Sequence, residues 1–181
     1  MKPAGRRRSL PPLDESRLNE LALRYVGRFA TTRAKLRSYL SRKVRERGWD
    51  GAREPDFMAI AERFAAQGYV DDSSFALAKS QSLTVRGYGK RRVIEALKAA
   101  GVEEEESAAA RDHADAGAVS AALRFAKRRK VGPYGDSSPR DPRDKQKALA
   151  AMVRAGHGFE LSRTILALPP GAEVDADQLI I

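Results

Sequence analysis

The stretch Leu18-Asn19-Glu20-Leu21-Ala22-Leu23-Arg24-Tyr25-Val26-Gly27-Arg28-Phe29 sets Leu18, Leu21, Ala22, Tyr25, Val26 and Phe29 at offsets 0, 3, 4, 7, 8 and 11. Those offsets share one face of an α-helix but fall on both faces of a strand, so the segment is predicted to be helical. Asp14, two residues after Pro12, is placed to accept from the free N–H groups of its first turn.

The same pattern recurs outward along the chain. Thr31-Thr32 restarts it ahead of Leu36, Tyr39, Leu40 and Val44, a stripe that stops at Gly48. Pro55-Asp56 opens a third helix through Phe57, Ile60, Ala61 and Phe64, closed by Gly68. Asp71-Asp72 caps a fourth with the stripe Phe75, Ala78, Ser82, which Arg86-Gly87-Tyr88-Gly89 breaks. Val93, Ala96, Leu97 and Ala100 make a fifth that ends at Gly101. Glu103 to Glu106 set carboxylates at the start of an Ala-rich sixth, where the helix macrodipole favours negative charge. A seventh carries Val119, Ala122, Leu123 and Ala126 into Lys127-Arg128-Arg129-Lys130. Residues 132–144 hold Pro133, Gly135, Pro139 and Pro142 and read as a loop. An eighth helix is expected over Lys145 to Ala155 and a ninth from about Glu160 to Leu168. No alternating apolar and polar run with hairpin turns is present, so the fold class expected is all-α.

Short helices bury little alone, which directs attention to repetition. Setting Leu36 and Leu40 over Val93 and Leu97 also sets Tyr25 over Ser82, and Ala148 and Met152 offer a third copy ahead of Gly156. Two amphipathic helices of similar length would align nearly as well, because the stripe is generic. Tandem three-helix units account better for the recurring Gly stops. The expected organisation is a flexible basic arm over 1–13, helical units over 14–67, 68–114 and 115–168, the last with the Pro-rich loop 132–144, and an acidic tail over 169–181 whose Leu179-Ile180-Ile181 is able to dock.

The 181 residues carry 34 Lys+Arg against 24 Asp+Glu, a net +10 that points to a polyanionic partner. With no Cys, disulfide frameworks and thiolate metal or nucleophile sites are excluded. Imidazole chemistry is confined to His113 and His157, and His157 between two glycines reads as a capping or packing residue. No 18-residue apolar span exists, and the basic N-terminus lacks the apolar region of a signal peptide, so neither a membrane span nor secretion is expected.

Arg86-Gly87-Tyr88-Gly89-Lys90 is Gly-rich and basic, but position 84 is Thr and Arg91 follows Lys90, so it is not a P-loop. It is either a plain turn or a helix N-terminus able to hold a phosphate or carboxylate. The carboxylates at Asp71-Asp72 and Glu103 to Glu106 lack EF-hand spacing and read as helix caps. No Gly-x-Ser-x-Gly or His-Glu-x-x-His pattern occurs, so no catalytic residue, metal site or cofactor is expected.

The cations gather in the N-terminal arm, along Arg28, Arg33, Lys35, Arg37, Arg42, Lys43, Arg45 and Arg47, around Arg86 to Arg92, and over Arg124 to Lys130. Such faces are either ordinary solvated surface or a positive stripe suited to a phosphate backbone or an acidic protein. Amides able to read bases are scattered, which favours backbone contact over sequence reading.

The run Gly68-Tyr69-Val70-Asp71-Asp72-Ser73-Ser74-Phe75-Ala76, then Arg86-Gly87-Tyr88-Gly89, then Val93 through Leu97 to Gly101-Val102, resembles the central signature of the RecX regulatory proteins. Ala22-Leu23-Arg24-Tyr25, Arg28-Phe29 and Ala34-Lys35-Leu36 through Leu40 are similar to that family's first unit, and residues 127–133 and 147–159 look like its third. The basic end Arg42 to Trp49 departs from the pattern, since family members usually reach a Gly sooner. The resemblance implies an elongated, curved, cytoplasmic and monomeric protein of tandem three-helix units, without enzymatic activity. It implies as partners the RecA recombinase and its single-stranded-DNA filament, whose growth, ATP hydrolysis, strand exchange and coprotease activity such proteins modulate, most often by inhibition, in DNA repair, recombination and the SOS response. The residues expected to meet RecA or DNA are Arg28, Arg33, Lys35, Arg37, Arg86, Tyr88, Lys90, Arg91, Arg92, Lys127, Arg128, Arg129 and Lys130. A general basic DNA- or RNA-binding module without a RecA role is the alternative.

Overall fold

A computed structural model of the protein describes residues 11–137, 141–176 and 179, and these form an all-α structure. The helices are α1 (Glu15–Val26), α2 (Arg33–Arg47), α3 (Phe57–Ala66), α4 (Asp72–Val85), α5 (Lys90–Ala99), α6 (Ala108–Ala116), α7 (Ala118–Arg129), α8 (Pro142–Arg154) and α9 (Phe159–Ala167). Short 3-10 turns occupy Glu105–Ser107 and Gly132–Tyr134.

Local chemistry fixes the helix ends. Side-chain oxygens of Asp14, Thr32, Asp56 and Asp141 accept from the N–H groups of Arg17, Lys35, Ala59 and Arg143 at 2.8, 3.1, 2.9 and 2.7 Å, satisfying donors that have no partner within the helix. One C-terminal device recurs at Gly68, Gly87, Gly101, Lys130 and Gly156. Each has positive φ, returns its own N–H to the carbonyl three residues back, and passes the next residue's N–H to the carbonyl five back. Four of the five are glycine, which adopts this backbone without a Cβ penalty, and Lys130 at φ 53 is the exception.

The chain divides into two compact units, one ending at Asp72 and one beginning at Ser73. The first holds α1 to α3 around Leu13, Leu18, Ala22, Leu36, Leu40, Ala61, Phe64 and Val70. The second contains two apolar clusters. In one, Ala76 and Leu83 of α4 meet Val93 and Leu97 of α5 and Ala110 and Ala114 of α6; the other joins α7, α8 and α9 through Ala122, Phe125, Met152 and Ile165. Tyr88 packs against both clusters.

Three local expectations need correction. Leu13, placed by the sequence in a basic arm, is fully buried, with its N–H on the Gly48 carbonyl at 3.0 Å and its carbonyl accepting from Asp50 at 2.8 Å. Arg47 donates to the Pro11 carbonyl at 2.7 and 3.0 Å, so the long basic end of α2 clasps residues 11–13. The rest of the expected arm, residues 1–10, lies outside the described residues. The buried side of α4 is Ala76, Ser80, Leu83 and Thr84; Ala78 and Ser82 of the expected stripe are exposed and Phe75 is half-buried. The reason is that small residues let α6 approach until the Ser80 hydroxyl donates to the Ala110 carbonyl at 2.7 Å. α8 begins at Pro142 rather than Lys145, because proline suits the first helical position, where an N–H would have no acceptor. In the expected acidic tail, Gly171 donates to the Pro133 carbonyl at 2.9 Å and Leu179 is buried with Ile165 and Met152; Asp177, Gln178, Ile180 and Ile181 lie outside the described residues.

Candidate functional site

The two glycines of the basic turn between α4 and α5 are buried in the second unit, while Arg86 before them is exposed. At Gly87, with φ 77, a Cβ would stand 3.0 Å from the Phe125 backbone nitrogen and 3.3 Å from the Ala121 carbonyl oxygen, so the backbone of α7 lies directly on the turn. At Gly89 a Cβ would stand 2.3 Å from the Gly156 oxygen, and at Gly156 one would stand 2.4 Å from the Arg92 nitrogen. Only paired glycines permit this approach of two backbones.

The contact is also hydrogen-bonded. Gly89 N–H donates to the Ala155 carbonyl at 2.9 Å and Arg91 N–H to the Gly156 carbonyl at 3.2 Å. The Arg91 guanidinium donates to the Val153 carbonyl. The start of α5 is therefore occupied by the end of α8. This corrects the reading of the turn as a phosphate-holding helix N-terminus, since those N–H groups already have acceptors.

His157 completes the joint. Its ring is buried against Phe125 at 5.4 Å between centroids, with Nε2 3.2 Å from the Gly87 carbonyl oxygen. A carbonyl only accepts, so Nε2 carries the proton. Burial pushes the pKa of His157 below its usual 6.5; the Gly87 hydrogen bond opposes this and the Arg128 charge reinforces it.

Around this joint the expected site residues separate by partner. Lys90 pairs with Asp115 at 2.5 Å, Arg91 and Arg92 both pair with Glu95 at 3.8 and 3.2 Å, and Lys130 stands 3.9 Å from Asp136. Among the described residues no carboxylate lies within 4.0 Å of Arg86, Arg124, Lys127, Arg128 or Arg129. Arg86 and Arg128 both flank the Tyr88 ring, at 5.4 and 5.9 Å, and Arg128 and Arg129 flank Phe125 at 5.3 and 5.8 Å. Arg128 also donates to the Arg86 carbonyl, and Arg124 to the Thr84 carbonyl at 3.3 Å. The result is a set of guanidinium groups held by aromatic faces and carbonyls, with no carboxylate among the described residues within 4.0 Å.

In the first unit Arg33 is drawn into structure. Its N–H donates to Asp72 Oδ1 at 2.9 Å, its Nε lies 3.5 Å from Oδ2, and its Nη1 stands 3.3 Å from Glu62. Asp72, read from sequence as a cap for its own helix, thus reaches the start of α2. Lys35 is half-buried on α2, Arg37 lies against the Met58 sulfur, and Arg28 is exposed over the Phe29 ring at 5.5 Å. The signature positions have structural places: Gly68, Gly87 and Gly101 as positive-φ caps, Gly89 in the backbone contact, Ala76 and Leu97 in the core, Phe75 beside it, and Tyr69 exposed against Phe64 at 5.6 Å. Asp71 is exposed.

Arg124 lies in the basic run read from the sequence but not among the residues expected to meet RecA or DNA, and Phe125 is in neither. The available signal was Phe125 itself, three residues after Ala122 on the buried stripe and directly beside Arg124. Among the described residues no group of His, Asp or Glu is disposed to hold a metal ion, and no helix is long and apolar enough to cross a membrane.

No family model matches the chain. It is 28% identical to Regulatory protein RecX of Myxococcus xanthus over 82% of its own length and 83% of that protein. It is 30% identical to Regulatory protein RecX of Mycobacterium sp. (strain JLS), covering 90% of this chain and 88% of the relative. The crystal structure of RecX from Lactobacillus salivarius shares its fold at a TM-score of 0.59 and 16% identity, over 83% of this chain and 92% of that one.

Proposed function

Because the chain belongs to the RecX family, whose members are regulatory proteins rather than enzymes, we propose that it binds RecA and the RecA–single-stranded-DNA filament and restrains its recombinase, ATPase and coprotease activities. The observation that carries this reading is the guanidinium set Arg86, Arg128 and Arg129 on Tyr88 and Phe125. Charge of this kind attracts a phosphate backbone or an acidic protein face without reading sequence. Arg28, Lys35 and Arg37 in the first unit and Lys127 in the second add further positive charge, and Lys90, Arg91, Arg92 and Lys130 also pair with carboxylates. The protein acts as a monomer in the cytoplasm, where RecA works. Three apolar clusters, on α1–α3, α4–α6 and α7–α9, support the tandem-unit organisation over 14–67, 68–114 and 115–168, with Leu13 and Val70 joining the first and Leu179 the third from outside those bounds.

The test is the single-stranded-DNA-dependent ATPase of the cognate RecA. Suppression at stoichiometric protein is expected, and an unchanged rate overturns the proposal. The net +10 also suits a general DNA- or RNA-binding module. Pull-down of RecA in the presence of nuclease separates the two, because a module that only binds nucleic acid loses RecA when the nucleic acid is digested.

A further inference from the structure

Outside the Tyr88 site, the first unit carries a second group of aromatic rings and cations. Tyr25 of α1 and Tyr39 of α2 stack at 4.2 Å with their planes 11° apart. Phe29, in the turn after α1, lies 5.5 Å from Tyr25, and its N–H donates to the Tyr25 carbonyl at 3.1 Å, which fixes its position. Arg28 covers the Phe29 ring at 5.5 Å, while Arg42 and Lys43 flank Tyr39 at 5.8 and 5.9 Å.

Phe29 is 52% exposed, so its ring face is within reach of a ligand. Glu46 partners Arg42 and Lys43, at 3.7 and 2.6 Å, but among the described residues no carboxylate lies within 4.0 Å of Arg28. An exposed ring with a planar, unpaired cation laid on it has the two elements that a single nucleic-acid strand requires, a π-face for a base and a charge for the adjoining phosphate. A duplex keeps its base faces stacked on one another and cannot use the ring. A hydrophobic protein partner would not select for three flanking cations.

On this basis we infer that Phe29, backed by the Tyr25–Tyr39 stack, is a base-stacking platform for single-stranded nucleic acid. A base takes the place of the Arg28 guanidinium over the ring, and Arg28 turns to the phosphate. The inference rests on the proposed contact with the DNA of the filament and specifies a site for it in the first unit.

The experiment is fluorescence anisotropy of a labelled 30-nucleotide oligo-dT and of a labelled duplex of the same length with the full chain and three variants. Phe29→Leu keeps apolar bulk and removes the π-face; it is expected to weaken binding to oligo-dT roughly 5- to 150-fold, the range that stacking of one base supports, with an unchanged salt slope and unchanged duplex affinity. Phe29→Trp is expected to retain affinity and to gain fluorescence quenching on binding beyond that of the wild type. Arg28→Gln is expected to lower the salt slope by about 0.7, as one phosphate contact on a single strand would. Equal oligo-dT affinity for Phe29→Leu and the wild type overturns the inference while leaving the parent reading standing, as does an equal loss on single strand and duplex. A wild-type protein that binds no oligo-dT overturns the inference as well, and the RecA ATPase then decides the parent reading by itself. Should Phe29→Leu fold poorly, Phe29→Trp without added quenching overturns the platform by itself.

Discussion

The Nε2 atom of His157 stands 3.2 Å from the carbonyl oxygen of Gly87, across 70 residues of sequence. Because burial lowers the pKa of this histidine below 6.5 in the folded protein, the unfolded chain binds a proton more readily. Its contribution to stability is complete above the unfolded value and is lost as pH falls through 6.5 toward the folded value. Urea midpoints measured from pH 8 to pH 5 are expected to fall over that lower range. His157→Gln, whose amide nitrogen replaces Nε2 as donor without titrating, is expected to remove this part of the pH dependence.

Two glycines separate steric from conformational cost. Gly89→Ala would place a methyl carbon 2.3 Å from the Gly156 oxygen, so the joint must open, at about 1–3 kcal/mol or more. Gly68→Ala meets nothing within 4 Å but must hold φ near 75, at about 1 kcal/mol. Denaturant unfolding of the two variants is expected to rank Gly89→Ala as the more damaging.

Lys130 gives the converse case. It is the one non-glycine with positive φ among the described residues, and its pairing with Asp136 at 3.9 Å is exposed and worth little. Lys130→Gly is expected to raise unfolding stability by about 1 kcal/mol, with helicity by circular dichroism unchanged.

Asp72 holds the N-terminus of α2 through the Arg33 N–H, and its carboxylate is almost wholly buried. Asp72→Ala leaves that donor and the Arg33 guanidinium without this acceptor, and a loss of about 1–2 kcal/mol in unfolding free energy is expected. Asp71→Ala, at an exposed neighbour, is the control expected to cost less.

The guanidinium set is testable by charge reversal. Arg86→Glu with Arg128→Glu is expected to weaken filament binding about tenfold or more at low salt. It should also flatten the dependence on log salt by about 1.4, if each group holds one phosphate of a single strand. Arg91→Glu with Arg92→Glu, which share Glu95, is expected to cost less in the same titration.

Helices were most legible where an apolar stripe meets a local end signal: Asp14, Thr32 and Asp56 at starts, Gly68, Gly101 and Gly156 at ends. The buried face of α4 was not, since Ser80 and Thr84 look polar and become interior only when the Ala110 carbonyl and the His113 ring arrive as partners. Nor could periodicity show that Leu13 is core, because one residue beside two prolines has no period. Phe64, read from its stripe, is buried as expected, whereas Phe75 is only half-buried. The basic runs were visible as composition, but which cations keep a free charge depends on tertiary partners. Lys90 and Asp115 are 25 residues apart, and nothing near either signals the pair.

The contact between the end of α8 and the start of α5 has an electrostatic result. Helix ends carry partial charges, negative where carbonyls are unpaired and positive where N–H groups are. Here the carbonyls of Ala155 and Gly156 face the N–H groups of Gly89 and Arg91, so the two poles cancel inside the protein. Around this joint the field felt by an approaching polyanion comes from ionised side chains alone, above all from arginines whose charge does not change with physiological pH. Encounter with the filament should therefore respond strongly to ionic strength and hardly at all to pH between 6 and 9.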